Sequence, residues 1–136
     1  MEAKELRIGN YVNFEFHKDC GGVKGVEVFI SDLEIILHNS SKSKYYTPIP
    51  LTEEWHNKFG VKINGFKIFE YTLPRKNNLD IKVIFNGDYV MLRQGKGDRN
   101  DDILSIWNKD LTNRDMFVHE WQNLYSALTN EELKLK

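Results

Sequence analysis

Cysteine, proline and glycine are scarce in this sequence, and so are long apolar runs. The single cysteine, Cys20, excludes an intrachain disulfide framework and a multi-cysteine zinc site. With 9 glycines and 3 prolines, the chain is neither collagen-like nor of low complexity. No apolar run approaches the roughly 20 residues of a membrane helix. Residues 1–10 lack the apolar core of a secretory signal. We therefore expect a soluble, cytoplasmic protein with no membrane partner.

An excess of charge of either sign is also missing. The sequence has 19 lysines and arginines against 20 aspartates and glutamates, for a net charge of −1. Proteins that bind nucleic acid without sequence preference usually carry a marked positive excess. Basic residues outnumber acidic ones only in the range 51–100. A local basic surface there remains an alternative to ordinary surface charge.

Strand patterns cover much of the chain. Alternation of apolar and polar residues and a high content of β-branched residues predict strands. The segments with these features are 6–16, 23–30, 33–38 and 103–107, with an extended stretch at 45–50. Residues 79–93 predict a hairpin about Asn86-Gly87, because both positions tolerate positive φ. That turn pairs Val83 with Val90, and residues 95–102 are then a charged loop.

Two segments have helical spacing. Thr52 is a favourable N-cap for a short helix at 52–59, which ends at Gly60 and buries Trp55 and Phe59. A longer helix is predicted near 115–128, since Phe117, Trp121, Leu124 and Leu128 recur at helical intervals.

These elements predict an α+β fold. A mainly antiparallel sheet is covered by one short central helix and one C-terminal helix. The N-terminal strands are also compatible with a partly open SH3-like barrel. No repeat or linker divides the chain, so we expect a single globular domain over 1–136.

Motifs that carry catalytic or metal chemistry are incomplete. The pair His119-Glu120 would need histidine at 123 for a zinc-protease helix, and Asn123 stands there. The stretch from Asp98 to Asp102 lacks the glycine and glutamate that a calcium loop requires. No local feature predicts a thiolate at Cys20. We expect no cofactor, no metal site, no catalytic residue and a non-enzymatic protein.

Two groups of residues are candidates for binding. The polar face of the C-terminal helix carries His119, Gln122 and Asn123, which form a recognition surface if they are not simply a solvated helix face. Basic and aromatic residues interleave as in single-strand-binding proteins, although the same alternation is typical of a strand with one buried face. The residues of this second group are Lys42, Lys44, Tyr45, Tyr46, Arg75 and Lys76.

Three stretches also carry a family resemblance. They are ELRIGNYV at 5–12, PIPLTEEWHNKFG at 48–60 and HEWQNLYSALTNEEL at 119–133. Together they resemble a family of small uncharacterised proteins from Bacteroidetes genomes, phages and mobile elements. The resemblance implies a cytoplasmic accessory protein of a mobile element without a known cofactor. That family has no known activity, so it supplies no catalytic residue.

The hypothesis that the sequence favours is a non-enzymatic interaction protein with a protein partner. The alternatives are a nucleic-acid-binding module that uses the basic and aromatic residues, and a small enzyme whose site is assembled from distant residues. A homodimer through a sheet edge is compatible with the first hypothesis, because a small antiparallel sheet leaves edges to cover.

Overall fold

A computed structural model describes residues 5–15, 23–38, 44–64, 68–74, 80–96 and 99–136. Seven strands and four helices follow one another in these ranges. In chain order they are β1 (Tyr11–Phe14), β2 (Val23–Glu27), α1 (Ile30–His38), β3 (Tyr46–Thr47), α2 (Glu53–Lys58), β4 (Phe69–Thr72), β5 (Asp80–Asn86), β6 (Tyr89–Lys96), β7 (Arg99–Asn108), α3 (Lys109–Thr112) and α4 (Val118–Thr129).

The predicted α+β class is confirmed. The described strands form two antiparallel sheets and close no barrel, in the orders β2-β1-β3 and β4-β5-β6-β7. By its internal contacts the chain divides into two compact units. Unit 1 comprises residues 1–51 and 117–133, and unit 2 comprises 52–116 and 134–136. That these units make one domain stays a prediction.

Unit 1 is organised around the central strand β1. The Val12 side chain is fully buried, and the core around it contains Leu6, Val28, Ile36 and Tyr46. The helix α4 belongs to the same unit and contacts β1. Helix α4 spans Val118–Thr129, close to the predicted 115–128. The chain enters it through a bridge between Pro50 and Phe117.

The strand predicted at 33–38 is wrong, because this segment belongs to the helix α1. A short apolar run does not distinguish a strand from a buried helix by periodicity alone. A local hydrogen bond favours the helix: Asp32 accepts from the Phe29 backbone N–H at 2.8 Å. The carboxylate thereby satisfies a donor at the start of α1, where the helix dipole also favours a negative charge. Ile36 is then buried in the core of unit 1.

Asp32 also anchors the helix to the sheet. Its second carboxylate oxygen accepts from the Tyr46 hydroxyl at 2.8 Å. Burial, this hydrogen bond and the Asp32 charge raise the pKa of Tyr46 to about 12. Both carboxylate oxygens therefore have partners within unit 1.

We expect Asp32→Ala to lower the free energy of unfolding by about 2 kcal/mol, because hydrogen bonds to charged groups contribute about 1.5–3 kcal/mol. Urea unfolding followed by circular dichroism measures this loss. Tyr46→Phe removes only one of the two bonds and serves as the matched control, with a smaller expected loss. A stability of Asp32→Ala equal to that of the unmodified chain would contradict this assignment.

Unit 2 is a four-stranded meander with a helix on one face. The hairpin lies in the predicted segment, but its loop is Gly87-Asp88 rather than Asn86-Gly87. Gly87 has φ +47° and Asp88 has no positive φ, a combination that belongs to type II′ turns, which need glycine first. Val83 therefore pairs with Leu92 instead of Val90. The shift is two positions, so each side chain keeps its predicted face.

The edge strand β7 is longer than predicted. It starts at Arg99, so the range predicted as a charged loop, 95–102, is mostly strand where it is described. Its pairing with β6 shifts register after Val90 and again after Leu92. Each shift marks a bulge, and bulges on an edge strand hinder pairing with a further strand.

The short helix α2 spans Glu53–Lys58, within the predicted range. Thr52 has the extended backbone of an N-cap, although its side chain makes no capping hydrogen bond. Gly60 follows with φ +83°, as predicted for the residue after the helix. The aromatic residues of β4 and β5 form a core with His56 of this helix, as described below.

Candidate functional site

Unit 1 exposes several large apolar side chains, two of them on α1. Among the described residues of this unit they are Ile8, Phe29, Ile30 and Leu37, which we call the apolar patch. Their exposed fractions are 53%, 57%, 66% and 66%. Scattered exposed apolar residues are normal on soluble proteins, but a contiguous group is typical of interaction sites.

Local structure explains why these side chains point outward together. Ile30 and Leu37 are seven residues apart on α1, so they lie on the same helix face two turns from each other. Val28 is 1% exposed and faces the core, so its extended neighbour Phe29 faces away from it. The Gly9 backbone N–H donates to the Val28 carbonyl at 2.9 Å. This bond between antiparallel segments brings Ile8 beside Phe29.

The predicted interaction residues of α4 are not on a solvated face. His119 is 4% exposed and Gln122 is 2% exposed, so the expectation of a polar face open to water is wrong. Asn123 is half-buried. The reason is that α4 turns this face towards the N-terminal segment of unit 1, whose backbone groups need partners. Whether these residues contact a protein partner stays a prediction.

Gln122 satisfies three backbone groups from two distant segments. Its Oε1 accepts from the Tyr11 N–H at 2.8 Å. Its Nε2 donates to the Gly9 carbonyl at 3.0 Å and to the Leu133 carbonyl at 3.2 Å. The amide thus joins the start of β1, the helix α4 and the segment that follows α4.

Asn123 and Asn10 extend this contact. Asn10 is 1% exposed, and its Nδ2 donates to Asn123 Oδ1 at 3.1 Å. Asn123 Nδ2 donates to the Glu5 carbonyl at 3.0 Å, while Asn10 Oδ1 accepts from the Arg7 N–H at 2.6 Å. We call Asn10, Gln122 and Asn123 the amide cluster. The hydrogen bonds given above join its amide groups to other groups of unit 1. The cluster therefore has a structural role.

The residues proposed to contact nucleic acid are only partly described. Lys42, Arg75 and Lys76 lie outside the described residues. Tyr46 is 3% exposed and is bonded to Asp32, so it offers no free ring face on which a base could stack. Lys44 is exposed and lies over the Tyr45 ring, 5.5 Å from its centroid. Nucleic-acid binding stays a prediction, but without Tyr46 as a stacking residue.

Unit 2 contains a buried histidine that the sequence did not single out. His56 is 4% exposed, and its Nδ1 lies 2.9 Å from the Tyr71 hydroxyl. Its ring stacks on Phe69 with centroids 4.1 Å apart and meets the edge of Phe85 at 4.8 Å. Burial lowers the pKa of His56 to about 4. The imidazole is therefore neutral at pH 7 and acts as a core residue.

Two other kinds of site are absent from the described ranges. No group of three or more histidine, cysteine, aspartate or glutamate side chains there is placed to hold a metal ion. The helices of the same ranges are all too short or too polar to cross a membrane. Cys20 lies outside these ranges.

The apolar patch does not follow from the sequence pattern, because residues 33–38 have the pattern of a strand. Ile30 falls in the predicted strand at 23–30 and Leu37 in the separate one at 33–38, so nothing in the pattern groups these two residues. The signal that identifies them is the pair Phe29 and Asp32, which fits the start of a helix. As a helix, α1 has apolar residues around much of its circumference. The core covers only one side of the helix, so Ile30 and Leu37 stay exposed.

Comparison of this chain with protein-family models, curated proteins and solved structures finds no match.

Proposed function

We propose that this chain is a non-enzymatic interaction protein that binds a protein partner through the apolar patch on unit 1. The observation that carries this proposal is that Ile8, Phe29, Ile30 and Leu37 are all exposed, with Ile30 and Leu37 on one face of α1 and Ile8 beside Phe29. Removing apolar surface from water contributes about 25 cal/mol per Å², so a partner that covers these four side chains gains several kcal/mol. A partner that covered only one exposed side chain would gain correspondingly less free energy.

The family resemblance supports a similar role. It favours an accessory protein of a phage or mobile element that acts in the cytoplasm. That family has no known activity, so the resemblance names neither a partner nor a reactive group, and the apolar patch alone points to a protein partner.

Photo-crosslinking in the organism that encodes the chain tests this proposal. A photoreactive amino acid replaces Leu37 in one version and Leu111 in the other. Leu111 is the matched control, because it is 86% exposed but lies on the short helix α3 of unit 2. We expect a discrete covalent adduct from position 37 and none from position 111.

A second substitution makes the result specific. Changing Phe29 and Ile30 to serine in the Leu37 version should reduce the adduct at least tenfold, because the patch is then polar. Equal adducts from positions 37 and 111, or an adduct that persists after the serine substitutions, would overturn the proposal.

A further inference from the structure

We infer that the partner segment that occupies the apolar patch is a cationic amphipathic helix. This inference rests on the proposed function and names the chemistry of its partner. It depends on the charges that surround the patch and on the kind of surface that the patch presents.

Two exposed carboxylates border the patch from different elements. Glu34 lies on α1 between the positions of Ile30 and Leu37, on the exposed part of the helix. Glu27 ends β2 and is exposed. Val28 faces the core, so Glu27 and Phe29 on either side of it both face outward. The apolar side chains are therefore flanked by negative charge along both α1 and β2.

A third carboxylate lies near the Ile8 side of the patch. A Cβ built on Gly9 would lie 3.5 Å from Glu132 Oε2 and 3.9 Å from Glu27 Oε1, so both carboxylates approach the same point of the backbone. Arg7 is a neighbouring cation, and its guanidinium lies 3.5 Å from Glu132. This pair is long and solvent-exposed, so Arg7 offsets one carboxylate at most. Among the described side chains, the border therefore has three carboxylates, Glu27, Glu34 and Glu132, against the one guanidinium of Arg7.

This charge decides between the occupants that an apolar surface can have. A second copy would bring its own Glu27 and Glu34 towards the same residues, and like charges that face each other oppose association. Anionic lipid headgroups would be repelled for the same reason. A segment with lysine or arginine beside its apolar residues is attracted instead.

The shape of the patch favours a helical segment. Its centre consists of helix side chains from Ile30 to Leu37, which span about 10 Å at 1.5 Å per residue. The backbone of α1 is hydrogen-bonded within the helix, so it offers no groups to which a strand could be added. An amphipathic helix with apolar residues at intervals of three, four and seven matches such a surface.

Two labelled peptides of equal length test the inference on the full chain. Both carry the same leucine stripe at helical spacing, and one has lysines beside the stripe where the other has glutamates. Fluorescence anisotropy measures their affinities at two salt concentrations. We expect the lysine peptide to bind at least tenfold more tightly, with an affinity that falls as salt rises.

Three variants assign that binding to the patch. Ile30→Ser with Leu37→Ser should weaken the lysine peptide at least tenfold. Glu27→Lys with Glu34→Lys should reverse the preference between the two peptides. Leu111→Ser on unit 2 is the matched control and should change neither affinity. Far-UV circular dichroism verifies that each variant remains folded.

The outcomes separate this inference from the proposed function. Equal or tighter binding of the glutamate peptide, still dependent on Ile30 and Leu37, overturns the cationic partner and leaves the patch as an interaction surface. If neither peptide binds while the crosslink at position 37 is retained, the helical cationic partner is again overturned alone. Loss of the crosslink as well overturns both.

Discussion

Replacing Gln122 with leucine should lower the free energy of unfolding by about 3 kcal/mol or more. The substitution keeps the volume of the side chain but removes three hydrogen bonds, to Tyr11 N–H and to the carbonyls of Gly9 and Leu133. A buried polar group that loses its partner costs about 1–3 kcal/mol. The three groups come from segments far apart in the chain, so the loss affects the whole of unit 1.

Urea unfolding monitored by circular dichroism measures this loss. Gln122→Glu is an informative companion, because a carboxylate can still accept from the Tyr11 N–H but cannot donate to the two carbonyls. We expect it to be destabilised as well. Ala127→Gln places the same amide on an exposed position of α4 and should change stability by less than about 0.5 kcal/mol. A Gln122→Leu variant as stable as Ala127→Gln would contradict the structural role of the amide cluster.

Acid should destabilise unit 2 through His56. Burial lowers the pKa of His56 from 6.5 to about 4. Between these values the unfolded chain binds a proton at His56 that the folded chain does not, so stability decreases as the pH falls. Its contribution is complete above pH 6.5 and is lost progressively down to about pH 4. Each pKa unit corresponds to about 1.4 kcal/mol, so the loss amounts to about 3 kcal/mol.

Unfolding in urea at a series of pH values between 7.5 and 4 measures this effect. Carboxylates also titrate in acid. The effect of His56 is therefore measured as the difference in the free energy of unfolding between the unmodified chain and His56→Phe. Phenylalanine keeps a ring against Phe69 and Phe85 but does not titrate. We expect the stability of His56→Phe to depend less on pH, so that the difference between the two stabilities changes as the pH falls from 7.5 to 4.

Tyr71→Phe is the control for this experiment. It removes the hydroxyl next to Nδ1 but leaves the imidazole buried, so the dependence on pH should persist. Parallel curves for the unmodified chain and His56→Phe would show that His56 does not contribute, and they would contradict the neutral, buried histidine.

Several elements follow from the sequence because local signals act alone. The stripe Phe117, Trp121, Leu124 and Leu128 repeats over three turns, and α4 forms there. Thr52 and Gly60 bracket a short helix, and α2 forms between them. The hairpin is also local, although Gly87 takes the first loop position instead of the second. The predicted Asn86-Gly87 loop needs a positive φ at both residues, whereas the Gly87-Asp88 loop needs one only at the glycine.

Other features depend on contacts between distant residues. Whether 33–38 is a strand or a helix is decided by Asp32, which bonds to Phe29 nearby but also to Tyr46 of β3. Gln122 and Asn123 are polar residues on a helix, and their local pattern is that of a solvated face. Gln122 is buried and Asn123 is half-buried because α4 lies against a segment more than 100 residues earlier in the chain.

The sequence by itself determined the α+β class, the positions of α2 and α4 and the strand-rich middle of the chain. These depend on periodicity and turn chemistry, which act over a few residues. Only the tertiary structure decided which polar residues are buried and which apolar residues remain exposed. Burial depends on which surfaces meet, and that is set by the packing of segments far apart in the chain. The packing of distant segments therefore explains both why the amide cluster is largely buried and why the apolar patch is exposed.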